Sequence, residues 1–101
     1  MSEDIIAEVH LFKTEDGGKR WPARNRFGCP ININGEFFDC RFLLEDGTIV
    51  SPGATAMLKI KFLRPELVLP LLEIGTVFRL WEGRFIGTAK VLSIAASPSS
   101  N

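Results

Sequence analysis

The sequence holds little of the chemistry on which most small enzymes and metalloproteins depend. Of its 101 residues one is histidine, His10, and two are cysteines, Cys29 and Cys40. Two cysteines make no disulfide framework for a small secreted domain, so reduced thiols in a cytoplasmic protein are the expectation. One histidine with two distant cysteines has no metal-ligand spacing. A phosphate-cradling Gly-x-x-x-x-Gly-Lys-Ser/Thr loop is missing, which excludes the commonest nucleotide fold. No Ser/His/Asp order stands out beyond the presence of those residue types. No cofactor is expected.

Charge of one sign is lacking too. Twelve Lys and Arg face twelve Asp and Glu, a formal net charge of zero. That speaks against a uniformly basic nucleic-acid domain but leaves room for a local patch. No apolar run reaches the ~18–20 residues of a membrane helix. The acidic start, Met1-Ser2-Glu3-Asp4, has no basic segment before an apolar one, so no secretory leader is expected. With 46% apolar and 24% charged residues the balance is globular. A chain of this length makes one domain, placed at residues 1–96, with a polar tail over 97–101.

Short strands dominate the remainder. Residues 5–13 are rich in β-formers and end at the turn signal Glu15-Asp16-Gly17-Gly18. Residues 19–35 are irregular, with short strands expected near Phe27 and Ile31–Ile33. Over 36–44, Phe38, Cys40 and Phe42 alternate with Asp39 and Arg41. Over 55–62, Ala56, Leu58, Ile60 and Phe62 share one face, and Thr55, Met57, Lys59 and Lys61 the other. Pro70 argues against a long helix in 66–75, where a crossover with a short helical turn is expected. Two strands, 76–82 and 85–94, flank the turn at Gly83. About six strands at ten-residue spacing predict a small closed barrel or sandwich, because closure removes exposed edges. Within this reading Cys40 is a core thiol, Cys29 an exposed one, and His10 an outward strand residue.

The order of features resembles the C-terminal, third β-barrel domain of translation elongation factor Tu. The resemblance spans residues 5–94. It rests on the first strand with Glu15-Asp16-Gly17-Gly18-Lys19-Arg20 and Pro22, on Cys29-Pro30, on Pro52-Gly53 before Met57-Leu58-Lys59-Ile60, and on Phe62-Leu63-Arg64-Pro65. It closes with Gly75, Phe78, Leu80, Glu82-Gly83-Arg84 and Gly87. It implies an all-β, six-stranded antiparallel Greek-key barrel, here standing alone without the family's nucleotide domain. It further implies contact with structured, tRNA-like RNA or with a translation protein. Arg64 falls at an RNA-contacting position of the family, and Glu82 and Gly83 fall near the RNA stem. Cys29 replaces an arginine, about four residues are added before Gly75, and Ile31-Asn32-Ile33-Asn34-Gly35 departs from the family pattern.

The residues also offer a candidate binding loop. Lys19, Arg20, Trp21, Arg24 and Arg26 put four cations and an aromatic ring within eight positions, which suits phosphate neutralisation and base stacking. Lys59, Lys61 and Arg64 could extend it. A solvated loop, with Trp21 folded back over the barrel end, accounts for the same residues. The apolar run Leu67-Val68-Leu69-Pro70-Leu71-Leu72 either caps a barrel end or meets a partner, including a second copy joined through 66–75. The expectation is thus a non-enzymatic binding module for a translation-linked protein or RNA, without nucleotide or membrane. The alternatives are an immunity-type mimic that sequesters a toxin and a small enzyme using His10 with nearby acids.

Overall fold

The computed structural model describes residues 2–95, and the tail expected over 97–101 lies outside them. Six strands form a closed antiparallel barrel: β1 (Ile5–Leu11), β2 (Gly28–Ile33), β3 (Glu36–Leu43), β4 (Thr55–Phe62), β5 (Val77–Trp81) and β6 (Phe85–Ile94). Around the barrel the order is β1-β4-β3-β2-β5-β6. Strands β2, β3 and β4 are consecutive neighbours, while β5 returns to β2 and β1 closes onto β4, the Greek-key connectivity. β1 stops at Leu11 rather than running to Lys13, because Gly53 N–H caps the Leu11 carbonyl (2.8 Å) and a 3-10 turn, Thr14–Asp16, begins.

The pleat sets the core. Every second residue of each strand points inward, so Ile5, Ala7, Val9 and Leu11 of β1 meet Leu58, Ile60 and Phe62 of β4 and Phe78 and Leu80 of β5. A lateral row leaving β3 at Phe37 passes Asn32, Arg79, Thr88, His10 and Thr55. The β3–β4 register then returns it at the level of Gly47, ten residues beyond Phe37. That stagger tilts the strands strongly and closes a barrel narrow enough for side chains to fill. At Gly87 the tilt brings β6 so close to β1 that a Cβ would collide with the His10 carbonyl.

Cys29 is buried, at 2% exposure, where the sequence suggested an exposed thiol. β2 begins one residue earlier and turns Cys29 inward, directly opposite Cys40 on β3. Both are free thiols. The hydrogen-bonded Cys29 thiol, and burial after it, push the Cys40 thiol well above its usual value of 9.0. Pro30 survives inside β2 because its missing donor falls on the β5 side, where the ladder has only two residue pairs. The two-residue turn Asn34-Gly35, with both φ angles positive, closes the β2–β3 hairpin.

Connections alternate between the two ends. Residues 12–27, 44–54 and 82–84 share one end, and 34–35 and 63–76 share the other. At the second end α1 (Pro65–Val68) and the 3-10 turn Leu69–Leu71 carry the added apolar run. Val68 and Leu72 plug the core while Leu67 and Leu71 stay exposed, so the run both caps the barrel and presents apolar surface. No helix among the described residues is long and apolar enough to cross a membrane.

Candidate nucleic-acid interface

The long connection between β1 and β2 is pinned at four points. Ala23 and Val50 exchange backbone hydrogen bonds, both 2.8 Å. Asn25 Oδ1 accepts the Leu44 N–H (2.8 Å). Arg26 N–H donates to the Phe42 carbonyl and Phe42 N–H to the Phe27 carbonyl, so two residues oppose one in a bulge. Lys19, finally, reaches across to the β5–β6 turn.

Lys19 is the one buried cation among the described residues. Its side chain is 7% exposed, its Nζ lies 3.1 Å from Glu82 Oε1, and Glu82 itself is 46% exposed. The ammonium also sits 4.2 Å from the Phe27 ring centre. Gly18 lets the chain enter at this angle, since a Cβ there would strike the Phe12 carbonyl. A cleft of about 230 Å³ opens beside the pair, lined by Thr14, Gly18, Lys19, Arg20, Glu82, Arg84 and Ile86.

Seven of the expected binding residues therefore lie at one end: Lys19, Arg20, Trp21, Arg24 and Arg26 on the long connection, with Glu82 and Gly83 on the β5–β6 turn. Lys19 serves the fold as a neutralised internal strut. Arg20, Arg24 and Arg26 are exposed, as is Arg84, which the composition of the 19–27 segment did not bring forward. None of these four arginines forms an ion pair among the described residues. Trp21 does not fold back over the barrel; 71% of it faces solvent. Arg26 holds φ at +64°, a left-handed conformation that disfavours any residue with a Cβ.

The other expected residues lie elsewhere. Lys59 and Lys61 are on the outer face of β4, and Lys61 pairs with Asp4 (3.0 Å), whose other carboxylate oxygen accepts the Phe62 N–H (2.8 Å). Arg64 stands at the opposite end of the barrel and pairs with Glu66 (2.6 Å). The Arg64 guanidinium, by hydrogen bonding, holds the Glu66 carboxyl below the usual carboxylate range. These three cations do not continue the Arg20–Arg26 surface.

An aromatic cluster on the outer wall escaped the reading of the sequence. Phe37 and Trp81 rings lie 5.8 Å apart and Trp81 and Phe85 rings 4.9 Å apart, both edge-to-face. Arg79 lies 3.8 Å over Phe85 and donates to Asn32 Oδ1 (3.3 Å). Phe37 reaches over β2 to Trp81, and Asn32, its register partner on β2, is buried. The outward alternation of Val77, Arg79 and Trp81 carried the signal, but the partner Phe37 is 44 positions away from Trp81 and is brought there only by the barrel stagger.

His10, the centre of any acid–base alternative, is exposed, and its Nδ1 lies 2.9 Å from Thr55 Oγ1. Its lateral neighbours are Thr55 and Thr88. No group of three His, Cys, Asp or Glu able to hold a metal occurs among the described residues. No family model matches the chain, and no match to a curated protein was found.

Proposed function

We propose that this chain is a non-enzymatic binding module of the kind formed by the third barrel of elongation factor Tu, taking structured, tRNA-like RNA on the end built from residues 12–27 and 82–84. The observation that carries the reading is Arg26. Backbone strain at a residue other than glycine collects where the side chain has work to do. Holding an arginine in the left-handed region costs about 1–2 kcal/mol that a glycine would avoid. The side chain so retained is exposed, at the same barrel end as the unpaired Arg20, Arg24 and Arg84 and the open Trp21 face. Arginine gives paired donors to phosphate, and tryptophan stacks on a base. His10, bonded to a threonine hydroxyl and flanked by threonines, supports a binding role over acid–base chemistry.

Four phosphate contacts predict a salt slope near −3 to −3.6, so affinity for a fluorescent tRNA should fall roughly 100-fold between 50 and 200 mM salt. Fluorescence anisotropy on the wild-type chain and on Arg20→Glu/Arg24→Glu/Arg26→Glu/Arg84→Glu tests this. Loss of binding in the variant with an unchanged thermal transition supports the reading. Absence of binding at 50 mM salt, or equal binding by the variant, overturns it.

A protein partner is the second reading, favoured by Leu63, Leu67, Leu71 and Ile74, all exposed at the opposite end. A second copy joined through residues 66–75 would use that surface, and a toxin-type partner sequestered by a barrel mimicking the factor's third domain is the other protein reading. Light scattering behind size exclusion separates the first, and nuclease-resistant capture from lysate identifies the second.

A further inference from the structure

Strand β4 is only half paired on its β3 side. The two strands are in register from Cys40↔Phe62 to Leu43↔Lys59 and no further. Beyond Leu43 the chain is drawn off: Asn25 captures the Leu44 N–H and Ala23 pairs with Val50, so residues 44–50 follow the long connection instead of β4. The phase of the ladder shows what is left exposed. Leu63 N–H donates to the Asp39 carbonyl, so odd-numbered residues of β4 direct their backbone groups toward β3. Leu11 N–H donates to the Ala54 carbonyl, so even-numbered residues bond to β1. Lys59 meets Leu43, whereas the next residues in phase, Met57 and Thr55, have no backbone partner on that side among the described residues. An open groove of about 490 Å³ lies along this seam.

We propose that this seam takes an extended peptide segment of a partner protein, added as a short strand beside Thr55–Leu58. Free N–H and C=O groups in strand phase recognise another extended backbone and little else. The opening is a slot between β4 and the departing 44–48 chain, which suits a single extended segment better than the face of a second barrel. The walls choose its side chains. Leu43 and Met57, the latter 70% exposed, supply apolar contact, and Glu3 and Glu45 outnumber Lys59 on the rim. The segment it fits alternates β-branched residues and carries Lys or Arg at its ends. This site is independent of the RNA surface proposed above.

The test is a titration of isotope-labelled full-length chain with the blocked peptide Lys-Val-Thr-Val-Thr-Val-Lys, read by amide shifts and hydrogen exchange. In the free protein the Met57 amide should exchange at least tenfold faster than that of Leu58. Saturating peptide should slow Met57 exchange at least fivefold, with shifts confined to residue 3 and to residues 43–48 and 55–59. Two further peptides, N-methylated at alternate residues in opposite phases, should differ: one phase keeps binding and the other loses it. A Glu-ended peptide should bind at least fivefold more weakly, and Glu45→Lys should weaken the Lys-ended peptide while leaving other amides in place. A Met57 amide already protected in the free protein, no response at millimolar peptide, or equal binding by both methylated phases overturns the proposal.

Discussion

Replacing the two partners of the Lys19–Glu82 pair should give unequal costs, and the inequality follows from their burial. The Coulomb energy at 3.1 Å is about 5 kcal/mol at an effective dielectric constant of 20, which is a gross figure. Most of it is offset by the desolvation of Lys19, whose side chain is 7% exposed. Glu82→Ala leaves that ammonium buried with only the Phe27 ring beside it, and should cost about 1–2 kcal/mol, a buried-pair penalty reduced because Glu82 sat at 46% exposure. Lys19→Met removes the charge and keeps the aliphatic volume and a sulfur contact to the ring. The Glu82 carboxylate then turns to water, and the cost should stay below about 1 kcal/mol. The double variant should resemble Lys19→Met, a coupling of about 1–2 kcal/mol, equal to the cost of Glu82→Ala alone. Urea unfolding at constant m-value measures all four species, and each 1 kcal/mol corresponds to about 4–8 °C in Tm for a chain of this size. Lys19→Met costing more than Glu82→Ala, or additive effects, would refute the view of Lys19 as a strut that depends on its counterion.

Arg26→Gly should raise stability by about 0.5–1 kcal/mol while weakening tRNA binding several-fold; a loss of stability would show that the positive φ is not strained. Gly87→Ala should destabilise by more than about 2 kcal/mol, since the new Cβ meets a backbone carbonyl that cannot move without opening β1 from β6; denaturant midpoints measure it. The Cys40 thiol titrates higher folded than unfolded, so its contribution to stability is complete below the unfolded value near 9.0 and is lost as pH rises beyond it. Unfolding free energies at pH 8, 9 and 10 should therefore fall by at most about 1.4 kcal/mol per pH unit, with no tyrosine to confuse the titration, and Cys40→Ala should flatten the slope.

Most of the barrel could be read from the chain because a pleated strand writes its burial with a period of two. The alternations over 36–44 and 55–62 name their inward residues correctly, down to Cys40 and Phe62. Reading failed where the deciding partner is remote. β2 looked irregular because Pro30 and Asn32 are poor strand residues, yet both face β5, where few ladder bonds are needed and Arg79 satisfies the Asn32 amide. Cys29, expected to be exposed, lies inward because the bulge at Arg26 and Phe27 sets the phase of β2, and a bulge is invisible until its opposite number, Phe42, is known. The pairing of Lys19 with Glu82 was not legible at all, since nothing local links residues 63 positions apart.

That long-range pinning bears on how the arginine surface works. The connection over residues 12–27 is sixteen residues long, a length at which an unsupported loop pays heavily to become ordered on binding. Here the Ala23–Val50 exchange, the Asn25 cap on Leu44, the Phe42 bulge and the Lys19 strut order it before any ligand arrives. Arg20, Arg24 and Arg26 thus reach solvent from a backbone already held, and binding has only their side-chain freedom left to restrict. The charge that could have bound phosphate through Lys19 is instead used to hold the loop against the β5–β6 turn, which places Arg84 beside Arg20 in one cleft. On the proposed RNA reading, loosening the strut should weaken binding through the position of the loop, and a Lys19→Met chain that keeps its fold but loses tRNA affinity with an unchanged salt slope would separate this positioning role from a direct phosphate contact.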